Sequence, residues 1–164
     1  MTTDTASNRF LELFGYELQN RALAFHAMSK AEVKARGTDQ YPYWSAYKEL
    51  EVGNQARYAA YARAHSLPMD MGSKTRLLAW FLVTISMIVP QRIQFKMTWK
   101  AAVDHVKKME ELCSLAPLGD KAFFQYVVDQ ERVQAVALKH ASEGDLKAAA
   151  GALEAFVASR PSEF

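Results

Sequence analysis

One run of seven residues constrains this chain more than any other feature: Trp44, Tyr47, Glu51, Asn54, Tyr58, Tyr61 and His65. Their spacing alternates three and four, which on an α-helix places all seven on one face. Aromatic rings hold both ends of that face, and a carboxylate and a carboxamide sit in its middle. Polar groups inside an apolar stripe are costly unless partners bind them. A second stripe, Val127, Glu131, Gln134 and Leu138, repeats the acid-x-x-amide spacing. The two stripes predict two helices that aim acid–amide pairs into one shared core.

The rest of the chain predicts an all-α fold in six segments. Alternating strand patterns bounded by hairpin dipeptides are missing. A first helix is expected from Ser7, as its cap, to Arg36, with Gly37 ending it and Phe10, Phe14, Leu18, Ala22 and Phe25 on its core face. Pro42 suits the start of the second helix, which runs to about Ser66. Pro68, Asp70 and Gly72 break the chain before an apolar segment, Leu77–Val89, and Pro90 closes that segment. A fourth helix reaches Leu115, with Ile93, Phe95, Trp99, Ala102, Val106 and Met109 as its core. Asp120 is read as the cap of the fifth helix, Gly144 as its stop, and Asp145 as the cap of a last helix that fades before Pro161. No low-complexity linker intervenes, so 1–164 is read as a single domain, with 1–6 and 161–164 as loose termini.

Twenty Lys and Arg against 18 Asp and Glu give a net charge of +2 with no basic block, so no nucleic-acid footprint is expected. The single cysteine, Cys113, excludes an intrachain disulfide and any Cys-rich metal site, and fits a reducing, cytoplasmic setting. Met1–Asn8 is polar and contains Asp4, unlike a signal peptide. Leu77–Val89 carries no charge, yet as a helix it would rise only about 20 Å against the roughly 30 Å of a bilayer core. It reads as a buried or partner-facing helix, with docking on a membrane surface as the alternative.

With these helices and the segment Phe123–Leu138, FFQYVVDQERVQAVAL, the chain resembles the ferritin-like superfamily. That resemblance implies a four-helix bundle with an apolar crossover, here followed by an extra C-terminal helix. It also implies a two-metal site built from two Glu-x-x-His pairs and two single glutamates. At the two histidine positions this chain has Asn54 and Gln134, weak neutral oxygen donors in place of imidazole. Glu17 is the candidate for one single-glutamate position, and Glu110 or Asp104 for the other. The expectation is therefore a metal-free polar network of Glu17, Glu51, Asn54, Glu131 and Gln134, with Arg21 or Arg57 supplying positive charge.

Of the four histidines, His26, His65, His105 and His140, none forms a metal motif, and each is read as surface or helix-end. Phosphate loops and nucleophile triads are absent from the sequence. The resulting expectation is a non-catalytic protein-binding module, in one version a bacterial immunity-type protein that neutralises a toxin. Its candidate partner surface is Tyr41, Tyr43, Trp80 and Phe81, and self-association into a homo-oligomer is a further option. Two alternatives stay open. One is a di-metal carboxylate oxidase or metal store holding di-iron or di-manganese. The other is a membrane-peripheral helical protein docking through 77–89.

Overall fold

The computed structural model describes residues 3–67 and 90–160. Within them lie five α-helices and no strand: α1 (Thr3–Ala35), α2 (Tyr41–Ala64), α3 (Gln91–Leu115), α4 (Lys121–Glu143) and α5 (Leu146–Ala158). A short 3₁₀ turn, Leu118–Asp120, joins α3 to α4. The apolar run Leu77–Val89, with Trp80 and Phe81, falls outside the described residues, as do 161–164.

Several ends follow the local chemistry. Gly37 takes φ +79° after α1, and Gly144 takes φ +93° after α4, a left-handed conformation that only glycine adopts without penalty. The Asp145 side chain accepts from the Ala148 N–H at 2.8 Å, capping α5. Two expected caps are corrected. α1 already begins at Thr3, so Ser7 lies inside the helix and residues 3–6 are helical. The Asp120 side chain makes no cap bond to α4, because its Oδ2 accepts from the Tyr61 hydroxyl instead.

Pairs of contacts fix the directions. Arg9 bonds Glu111 while Glu17 meets His105, so α1 and α3 are antiparallel. Tyr61 meets Asp120 while Tyr47 meets Gln134, so α2 and α4 are antiparallel. Phe10 packs on Phe124 and Arg21 pairs with Glu131, so α1 and α4 run parallel. Tyr43 packs on Phe95 and Gln40 bonds Gln91, which brings the starts of α2 and α3 to the same end of the molecule. α2 therefore ends and α3 begins at opposite ends. α5 packs on both α2 and α4 and covers the seam between them.

The core has two apolar ends. At one, Phe14, Leu18, Tyr58, Met109, Leu112, Phe124 and Val127 pack together. At the other, Tyr43, Tyr47, Leu50, Phe95, Leu138 and Leu153 do so. Three core expectations are corrected. Ile93 is 51 % exposed, because α3 turns Phe95 and Met109 inward and leaves Ile93 and Met97 on its outer side. Ala22 and Phe25 are only half-buried. Tyr43, expected at a partner surface, is fully buried edge-on to Tyr47 and Phe95, while Tyr41, two residues earlier, stays 38 % exposed.

Candidate functional site

Between the two apolar ends lies a layer of buried polar side chains from four helices. α1 supplies Glu17 and Arg21, α2 supplies Glu51 and Asn54, α3 supplies His105, and α4 supplies Gln130, Glu131 and Gln134. All five residues singled out for a core polar network thus come together, each buried.

Arg21 is the hub. Its Nη1 donates to Glu51 Oε1 at 2.7 Å, its Nη2 lies 2.7 Å from Glu131 Oε1, and its Nε lies 2.9 Å from Glu17 Oε1. The last is a close ion pair without the alignment of a hydrogen bond. A planar guanidinium with five donors can serve several carboxylates at once, which an ammonium does less well. Burial disfavours the charge on Arg21, but the attraction of Glu131, Glu51 and Glu17 outweighs it and drives the pKa upward.

The amides knit the acids together. Gln130 Oε1 accepts from Gln134 (2.6 Å), Asn54 (2.9 Å) and Arg21 (3.3 Å), and its Nε2 donates to Glu131. Gln134 Nε2 also reaches Glu51 at 3.2 Å. Three tyrosine hydroxyls close the edges. Tyr47 donates to Gln134, Tyr58 to Glu17 and Tyr126 to Asn54. Burial pushes the Tyr47 and Tyr58 hydroxyls up, so both remain protonated donors at neutral pH. Arg57 stands outside this centre and donates to the Tyr126 hydroxyl at 2.8 Å.

The three carboxylates are not equivalent. Burial raises Glu17, but Arg21, His105 and Tyr58 more than offset that, and its pKa ends below the usual range. Burial dominates at Glu131, which is raised despite Arg21. At Glu51, burial together with Glu131 and Glu17 outweighs Arg21 and pushes the carboxyl up to about 7. Glu51 Oε2 is buried and has no hydrogen-bond partner among the described residues.

His105 corrects the sequence reading most directly. It is 9 % exposed, and its Nε2 lies 2.8 Å from Glu17 Oε2 and 3.8 Å from Glu131 Oε2. The ligating atoms of Glu17, His105 and Glu131 all fall within 4.8 Å of one another, the set among the described residues able to hold a metal ion. The two acids proposed for that α3 position are on the surface. Glu110 pairs with Arg132 and Asp104 with Lys107. A signal for His105 was present: it sits four residues before the core residue Met109 and one turn from the half-buried Ala102. Gln130 was missed although it stands three residues after Val127 and four before Gln134, a spacing that already marked it for the same face. His65 stacks on Tyr61 with ring centroids 4.2 Å apart and is 44 % exposed at its side chain. His26 is exposed and His140 is half-buried at the end of α4.

No protein-family model matches this sequence, and no curated protein or solved structure matches it either.

Proposed function

We propose that this chain is a non-catalytic protein-binding module on a ferritin-like scaffold, in which an arginine stands where a two-metal centre would be. The observation that carries this reading is Arg21, whose guanidinium reaches Oε1 of all three core glutamates. Helix directions support the scaffold. α1 and α4 are parallel, α1 is antiparallel to α3 and α2 to α4, and α2 and α3 start at the same end, which suits a bundle with one long crossover. A two-metal oxidase needs open coordination positions and carboxylates free to bridge two ions. Here Oε1 of each glutamate already serves the guanidinium, and Glu17, Glu51 and Arg21 are closed off from solvent.

On this reading the domain acts through its surface. Ile93 and Met97 are exposed on α3 beside Arg92, Lys96 and Lys100, a mixed apolar and basic patch suited to a protein partner with acidic rim residues. A toxin-neutralising version would use such a patch to block an enzyme by docking. The test has two arms. Protein produced with added iron and manganese is expected to carry fewer than two metal ions per chain; two would overturn the reading. Affinity capture from the source cells is expected to lose its specific partner with the double variant Ile93→Glu, Met97→Glu. A partner retained by that variant would place the contact elsewhere and refute this surface.

A further inference from the structure

We propose that Glu17, His105 and Glu131 form a binding site for a single divalent transition-metal cation on the α3 side of Arg21. The geometry divides each carboxylate between two tasks. Arg21 contacts Oε1 of Glu17 and Glu131, and His105 Nε2 faces Oε2 of both, at 2.8 and 3.8 Å. Around a tetrahedral ion with ligands about 2.1 Å away, neighbouring donors stand roughly 3.4 Å apart. These two separations straddle that spacing, and all three donors lie within 4.8 Å of one another, so the three helices bring them near the required triangle. Two carboxylate oxygens and one imidazole nitrogen suit zinc, manganese or ferrous iron and are a poor set for calcium. Asn20 completes the set: its amide lies 3.2 Å from His105 Nε2, and the carboxamide can turn its oxygen toward the ion.

Charge argues the same way. An imidazole that ligates a metal is neutral. Glu17 and Glu131 share the single guanidinium of Arg21 with Glu51, so carboxylates outnumber cations in the buried layer and a divalent ion adds the missing counter-charge. Independently, the buried Glu51 Oε2 has no hydrogen-bond donor among the described residues, which leaves one carboxylate oxygen of the layer without a partner. His105 is the least buried of the three ligands and lies beside Tyr16 at the α1–α3 contact, with ring centroids 5.8 Å apart. The site differs from a two-metal centre in taking its nitrogen from α3 and leaving Glu51 to Arg21.

The test uses the full chain after chelator treatment, titrated calorimetrically with Zn²⁺ and spectroscopically with Co²⁺. One ion per chain is expected. His105→Gln should weaken binding by at least about tenfold, while His65→Gln, at an exposed ring far from the layer, should leave it unchanged. If His105→Gln fails to fold, Co²⁺-induced paramagnetic shifts of the His105 ring protons in the unmutated chain read the same contact. Absence of saturable binding, binding insensitive to His105, or no shifted ring protons at His105 would overturn the proposal. The stoichiometry also separates it from the reading above: no ion defeats this inference alone, whereas two ions defeat both.

Discussion

Replacing Glu51 by glutamine should stabilise the protein increasingly as the pH rises. Glu51 is fully buried, and its carboxyl is pushed up to about 7 from the ordinary 4.5, chiefly by loss of hydration. Below the lower value, folded and unfolded chains both hold the proton, and the residue carries no charge penalty. Between the two values folding must take up a proton, and above the higher one the folded state carries the charge at its full cost. A shift of this size corresponds to about 3 kcal/mol. The substituted carboxamide mimics the protonated acid at every pH. It keeps an oxygen for Arg21 and Gln134 and places an amide nitrogen where Oε2 now lacks a partner, at a pH-independent cost of about 1–2 kcal/mol. The Glu51→Gln variant should therefore be less stable than the parent by about 1 kcal/mol near pH 4.5, and more stable by about 1–2 kcal/mol near pH 8. Urea unfolding of both proteins across this range, with chelator present, measures the difference. A difference that stays constant with pH, or one that moves against the variant as pH rises, would refute the claim that Glu51 is a strained anion.

Two further outcomes follow from the same geometry. Arg21→Met removes the hub and leaves three buried carboxylates without their main counter-charge, so it should cost about 3–5 kcal/mol, and more near pH 8 than near pH 5, where protons replace the guanidinium; urea unfolding at the two pH values reads both the size and the sign. Gly144→Ala forces a Cβ into a φ of +93° and to 2.8 Å from the Arg92 guanidinium, whose flexible end can move aside; the backbone term should dominate, at about 1–2 kcal/mol, seen as a lower Tm with an unchanged helical spectrum.

Much of this layer could be read from spacing. The three–four stripes put Glu51, Asn54, Glu131 and Gln134 on inward faces, and all four are buried. Gly144 after α4 announced its own stop. What spacing could not reveal was which cation the acids would meet. Arg21 stands one turn after Glu17 on α1, the position from which a side chain returns to its i−4 neighbour, but Arg57 lay equally near Asn54 in sequence. Only the packing of four helices decides between them, sending Arg21 to the acids and Arg57 over the Tyr126 ring at 4.4 Å. His105 was hidden for a related reason. Its helix turns Ile93 and Met97 outward and carries charged pairs on either side of Met109, so its inward face was ambiguous. Tyr43 was misplaced because position at a helix start suggested exposure, whereas Phe95 from α3 and Trp44 beside it close over the ring.

The layer also explains how such a bundle settles on one alignment. Two apolar ends made of Phe, Leu, Tyr and Ala can repack after a shift of one helical turn, since cores tolerate rearrangement when volume and pattern are kept. A turn is about 5.4 Å, longer than any hydrogen bond in the layer could stretch. Sliding α1 by that amount would strip Glu51 and Glu131 of Arg21 and Glu17 of His105 in a single step. Sliding α4 would unpair Gln130 from Asn54 and Gln134 from Tyr47. Each helix from α1 to α4 is pinned to at least one other by a buried polar bond whose loss leaves a desolvated group behind, a cost of about 1–3 kcal/mol per neutral group and more per charge. A layer that contributes little net stability in its correct form can therefore still select that form strongly over its neighbours. On this argument Arg21 does for helix register what a bridging metal ion would do, and it does so with a group that the chain itself encodes.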